Sequence, residues 1–191
     1  MKLIKTSSLF TAFIIFSFIV SGCLTTQYKE YSYKVNKDGS GTGKILFYNI
    51  VSQLDDGKNV SFKDFGELVD DYLNGTRFED DNPKLKVTNK KLFEKEGMLM
   101  GEVAFEFESI DSIGFFITKN CDCSPIMYHM SNYNETFIES NGKWLGADGN
   151  FPVIVWEDGT RELKFKTAAQ EDLTESNSLL PMWKTYKETA K

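Results

Sequence analysis

Residues 27–50 read Gln27-Tyr28-Lys29-Glu30-Tyr31-Ser32-Tyr33-Lys34-Val35-Asn36-Lys37-Asp38-Gly39-Ser40-Gly41-Thr42-Gly43-Lys44-Ile45-Leu46-Phe47-Tyr48-Asn49-Ile50. Tyr31, Tyr33 and Val35 alternate with Ser32 and Lys34, the period of two that marks a strand with one buried face. Asn36 to Gly41 gathers turn formers and Ile45 to Ile50 is apolar again, so the segment predicts an antiparallel hairpin.

The same signals recur further along. Phe151 to Glu157, Asp158-Gly159 and Thr160 to Lys166 give the strongest hairpin pattern in the chain, because Asp-Gly supplies the positive φ of a two-residue turn. Leu85 and Val87 alternate with polar residues, a turn falls near Glu96-Gly97, and in Met98 to Glu108 the side chains of Val103, Phe105 and Phe107 oppose Glu102, Glu106 and Glu108. Ile126 to Met130 and Glu135 to Ser140 add strands, with Asn141-Gly142 as a turn.

One long stretch has a helical period instead. Phe62, Phe65, Leu68, Val69, Tyr72 and Leu73 form an apolar stripe, with Lys63, Asp64, Glu67, Asp70, Asp71 and Asn74 turned away. Ser61 with Asp64 fits a capping box, Val60 with Phe65 a hydrophobic staple, and Gly75 a C-terminal stop. Near the C-terminus, Pro181 in Leu179-Leu180-Pro181-Met182-Trp183 fits the first turn of a short helix. The expected fold class is therefore α+β: a mainly antiparallel sheet of hairpins, one main amphipathic helix over about 61–75 packed on it, and a short C-terminal helix. Residues 28–167 form the expected domain, and 168–191 a polar segment ending in that helix.

The N-terminus carries Lys2 and Lys5, a run from Leu9 to Val20 that is apolar apart from Thr11 and Ser17, and small residues before a cysteine. This is the order of a secretory signal, and at roughly a dozen residues the run falls short of the about 20 needed to span a bilayer. Val20-Ser21-Gly22-Cys23 resembles the lipobox of bacterial lipoproteins. The resemblance implies removal of residues 1–22 by cleavage between Gly22 and Cys23, a thioether diacylglycerol on Cys23 and a third acyl chain on its new amino group. Leu24 stands where an Asp would imply retention at the inner membrane, so the outer membrane is favoured. Residues 23–27 are then a tether of under about 20 Å at 3.3 to 3.6 Å per residue, which holds the domain close to its membrane.

Loss of residues 1–22 would leave 20 basic against 28 acidic side chains, a net charge of −8. Such a surface repels phosphate backbones, so nucleic acid is excluded as a partner. About 170 mature residues suit one domain with a substantial core. The aromatic share of 14% points to a strand-rich one.

Cys121 and Cys123 are separated by a single residue. An exported compartment permits a disulfide between them, although so small a ring is distorted; packed thiols, or thiol redox and metal chemistry, are the alternatives. With His129, the only histidine, the pair offers three ligands where a closed zinc site wants four, so no metal is assigned. Gly39-Ser40-Gly41-Thr42-Gly43-Lys44 has Asp38 in place of the first glycine of a phosphate loop and Ile45 in place of its Ser/Thr. As a calcium loop, the same segment has Phe47 where a bidentate Glu is required. No Gly-x-Ser-x-Gly pattern accompanies His129, and Glu106 with Glu108 is explained by strand alternation as a wet face. The expectation is a non-enzymatic protein without a cofactor. Trp144 and Trp156 are the aromatic candidates for a ligand surface.

Tyr33, Val35, Asp38, Gly39, Ser40, Gly41 and Trp156 resemble the corresponding features of LppM-type lipoproteins: a hairpin with an Asp-Gly-Ser-Gly turn soon after the lipidated cysteine, then a helix, then antiparallel strands. That resemblance implies a strand-rich fold carrying helix, and binding of lipids or glycolipids. The combined expectation is a lipid-anchored envelope protein whose domain binds an amphiphile in a pocket between helix and sheet. The competing expectation is a scaffold or assembly subunit, whose acidic face and Trp183 tail engage another envelope protein.

Overall fold

A computed structural model describes residues 23–117, 124–130, 135–146 and 151–189. Strands β1 (Leu24–Val35) and β2 (Gly41–Gln53) form the expected hairpin, in unbroken antiparallel register from Leu24 opposite Ser52 to Val35 opposite Gly41. Gly39 takes φ +87 in the turn, and Asp38 Oδ1 accepts from both the backbone N–H (3.0 Å) and the hydroxyl (2.7 Å) of Ser40. Short side chains that bond their own backbone in this way favour turns over strands. Residues 24–27, expected as a tether, are part of β1, and the Gln53 N–H donates to the Cys23 carbonyl at 2.8 Å. The sheet begins at the residue after Cys23.

After β2 come α1 (Ser61–Gly66), a π-helical turn (Glu67–Leu73) and the short helix α2 (Arg77–Asp81). Next are β3 (Leu85–Lys95) and β4 (Met98–Phe107), joined through Glu96 and Gly97, both at positive φ. A 3-10 turn (Ile110–Ile113) leads to β5 (Phe115–Ile117), β6 (Ile126–His129), β7 (Thr136–Ser140), β8 (Lys143–Trp144), β9 (Val153–Trp156), β10 (Glu162–Ala168), β11 (Ser176–Ser178) and α3 (Leu180–Thr189). They build a seven-stranded sheet, in order β3-β4-β2-β1-β10-β7 with β11 on β2, and a four-stranded sheet, in order β5-β6-β9-β8. Every pairing within the two sheets is antiparallel.

Two sequence expectations need correction. The continuous amphipathic helix over 61–75 is a six-residue α-helix running into seven π-helical residues, where the Asn74 N–H reaches back five residues to the Val69 carbonyl. The capping box does not form. Asp64 is instead buried and accepts a 2.6 Å hydrogen bond from the Ser52 hydroxyl on β2, while Ser61 donates to the Asn59 side chain. Residues two apart lie on nearly opposite sides of a helix. Turning Asp64 inward therefore expels Phe62, which is 86% exposed, while Leu68 and Val69 stay buried.

The second correction concerns the strongest hairpin pattern. Asp158-Gly159 is a turn, with φ +78 at Gly159 and the Thr160 N–H on the Glu157 carbonyl at 3.2 Å. The strands on either side of it join different sheets: β9 pairs with β6 and β8, and β10 with β1 and β7. The turn is a corner, and it lets Trp156 and Phe165 face each other with ring centroids 6.4 Å apart. Asn141 fastens the same corner by accepting from the Trp156 indole N–H (2.7 Å) and the Lys164 backbone N–H (2.8 Å).

Two apolar clusters result. The first lies between the sheets around Tyr33, Phe105, Phe107, Phe115, Trp156, Leu163 and Phe165. The second lies beneath the helical segment and α3, around Ile50, Leu68, Leu99, Leu179, Leu180 and Trp183. Trp183 is only 8% exposed and forms part of this second cluster. Phe47 touches both clusters.

Candidate functional site

The second cluster is incompletely filled. A cleft of about 320 Å³ opens between the sheet and the helical segment, lined from below by Phe47, Ile50, Leu92 and Val103 and from above by Leu68, Tyr72, Leu73 and Phe78. Leu24, Thr25 and Thr26, which follow Cys23 in the chain, are also in the lining. The volume is at the lower end of the range of small-molecule pockets, and the lining is mainly apolar, with a few polar groups placed among it.

Local backbone features create the space. Asn49 has φ +54, outside ordinary strand geometry, and both Phe47 and Ile50 reach the cleft. Gly101 beneath them has no side chain; a Cβ there would lie 3.0 Å from Ile50 Cδ1 and 3.6 Å from Phe47 Cβ. Above, the π-helical turn spaces Leu68, Tyr72 and Leu73 over the opening.

Each lysine in the lining is neutralised. Lys29 Nζ lies 2.6 Å from Glu135, Lys90 Nζ 2.9 Å from Glu79, and Lys91 Nζ 2.8 Å from Glu102. Burial pushes the Glu135 carboxyl up, but the charge and hydrogen bond of Lys29, with donors Thr167 (2.7 Å) and Tyr31 (3.1 Å), outweigh it and hold the group below its ordinary range. Tyr31 is displaced the other way, first by burial and then by the neighbouring Glu135 charge, and stays protonated. Burial also raises Glu79, and its hydrogen bond from Lys90 more than compensates. A lining of balanced charge selects a ligand by shape and apolar area more than by net charge.

Cys23 immediately precedes Leu24 of the lining. Its carbonyl is fixed by Gln53, and burial, then Asp55 and Asp64, raise its thiol above the ordinary value. Such a thiol is a poor nucleophile at neutral pH. The helical segment is tied at Asp64 to Ser52, the residue opposite Leu24, and continues from there to above the cleft.

The other sequence candidates lie elsewhere. Trp156 is 2% exposed in the first cluster with its N–H bonded to Asn141, so it presents no surface to a ligand. Trp144 is half-buried and stacks on Phe137, centroids 4.3 Å apart, away from the cleft. His129 is exposed beside Phe151, and Glu106 pairs with Lys86 on the wet face at 2.8 Å. Gly22, Cys121 and Cys123 lie outside the described residues. Among the described residues no group of three His, Cys, Asp or Glu side chains is placed to hold a metal ion, and no helix is long and apolar enough to cross a membrane. Lys29 and Lys90 went unmarked in the sequence, although each is a charge on the strand face that carries Tyr31 and Tyr33 or Leu92. No family model, curated protein or solved structure matches the chain.

Proposed function

We propose that this chain is a non-enzymatic bacterial envelope lipoprotein, held by acyl chains on Cys23 to the exported side of a membrane, with the outer membrane favoured, and that its cleft binds the apolar part of a lipid, glycolipid or other amphiphile. The observation that carries the reading is position. An apolar cleft of about 320 Å³ begins at Leu24, the residue after the cysteine of the Val20-Ser21-Gly22-Cys23 motif. A ligand leaving the bilayer would meet this opening first. Each methylene moved from water into such a site contributes about 0.8 kcal/mol, so micromolar affinity takes about ten methylenes or more once the cost of association is included.

The test is native mass spectrometry of two forms: the protein extracted from its own membrane, and a Cys23→Ser form made soluble. The expected results are an N-terminal peptide that begins at Cys23 and carries acyl mass, and a soluble form that retains a lipid- or glycolipid-sized adduct. An unmodified N-terminal peptide overturns the anchor. A bare soluble form overturns the ligand.

A further inference from the structure

We propose that the resident occupant of the cleft, when no foreign amphiphile is present, is an acyl chain of the protein's own Cys23. The inference rests on the lipoprotein reading above and names the first ligand of that same cleft. Its basis is continuity. Leu24, Thr25 and Thr26 are at once the first residues of β1 and the near wall of the cleft. Cys23 is bonded directly to Leu24, and one strand residue advances about 3.3 Å, so an acyl chain on Cys23 is attached one residue from the cleft wall.

The backbone at this point cannot swing away. Cys23 is tied to Gln53, Leu24 is in register with Ser52, and Ser52 in turn holds Asp64 of α1 at 2.6 Å. An acyl chain on Cys23 therefore starts at a fixed point beside the helix whose next residues, Leu68, Tyr72 and Leu73, roof the cleft. Tethering at so short a distance gives an effective concentration on the order of millimolar, above what a sparingly soluble free lipid reaches in water. The lining also suits a hydrocarbon: its lysines are already paired, and most of the other lining residues are apolar, with Thr25 and Thr26 among them.

A consequence follows for anchoring. A single acyl chain binds membranes only marginally, whereas two or three hold firmly. Withdrawal of one chain into the cleft loosens the anchor, and an amphiphile that fills the cleft returns that chain to the bilayer and tightens it. By linkage, membrane attachment and ligand binding then strengthen one another.

The experiment uses residues 23–191 carrying Cys121→Ser and Cys123→Ser, so that Cys23 is the single thiol. One batch is capped with N-ethylmaleimide and the other with N-hexadecylmaleimide, and the monomeric fraction of each is titrated with 11-(dansylamino)undecanoic acid by fluorescence. The expected result is saturable uptake by the ethyl-capped protein and at least tenfold weaker uptake by the hexadecyl-capped protein, independent of protein concentration. Equal uptake by both overturns self-occupancy and leaves the ligand reading standing. No uptake by either removes the cleft as a lipid site and the inference with it.

Discussion

The β1–β2 hairpin runs through two cores built in opposite ways. At its turn end, rings fill the space between the sheets: Tyr33 meets Phe115 at a centroid distance of 5.1 Å, and Gly43 and Gly41 have no side chains because a Cβ would lie 2.3 Å from the Phe105 ring and 2.5 Å from the Phe107 ring. At its open end, near Cys23, the same two strands meet aliphatic side chains and a helical segment that leaves about 320 Å³ unfilled. Glycines at the closed end admit neighbouring rings, whereas Gly101 at the open end admits the tip of Ile50, with Leu92 and Phe47 close by. Dense packing is what stability requires, and unfilled apolar volume forgoes dispersion and burial that the fold could otherwise have. The difference separates a densely packed aromatic core from one that keeps unfilled apolar volume.

The largest effect expected from this contrast is at Phe165, which is 2% exposed and in contact with the rings of Tyr31, Tyr128 and Trp156. Phe165→Ala should cost about 3–5 kcal/mol in urea unfolding, as buried aromatic truncations do. Leu73→Ala at the half-buried cleft should cost less than half as much; equal losses would mean that the two cores do not differ in kind.

Overpacking gives the next effect. Gly43→Ala should cost about 1–3 kcal/mol, and a second change, Phe105→Leu, should recover part of it. Gly101→Ala, facing the flexible tip of Ile50, should alter stability by under about 1 kcal/mol while weakening uptake of a fluorescent fatty acid. A large loss of stability at Gly101 would show that the space beneath Ile50 is not spare.

The boundary between the cores is polar and gives the smallest effect. Glu135 has a folded-state pKa below its ordinary value of 4.5, so its ionised form stabilises the protein above about pH 4.5, and that contribution is lost as the pH falls through the folded-state value. Chemical denaturation across pH 3 to 6 should show this slope in the parent and a flatter one in Glu135→Gln. An unchanged slope would assign the acid sensitivity to other carboxylates.

How far the sequence could be read differs between the two ends for a physical reason. Strand alternation around Tyr33, Phe105 and Phe107 reports a buried face directly, and the first hairpin and the exposed Glu106 of β4 follow from it, whereas Glu102 on the same face of β4 is 14% exposed and lines the cleft. The cleft depends on exceptions to periodicity. Asn49 at positive φ, the π-helical turn and an inward Asp64 each break the pattern from which faces are assigned, and Asn49 and Asp64 are held by side chains on other parts of the chain, Gln27 and Ser52. Trp156 is a candidate for a ligand surface by residue type alone; at the corner between the sheets it is 2% exposed and part of the core.

The sequence by itself determined that the chain is a mainly antiparallel α+β protein, that Asp38-Gly39 and Asp158-Gly159 are turns, and that a lipobox-like motif stands before the first strand. Those properties are local, set by side-chain period, by glycine at positive φ and by the order of residues at the N-terminus. Only the tertiary structure decided that one Asp-Gly turn closes a hairpin while the other carries the chain between sheets, and that the strand starting after Cys23 is the wall of an apolar cleft. The choice is non-local: β10 makes its pairs with β1, more than a hundred residues earlier in the chain, and no turn sequence encodes which strand its neighbour will join.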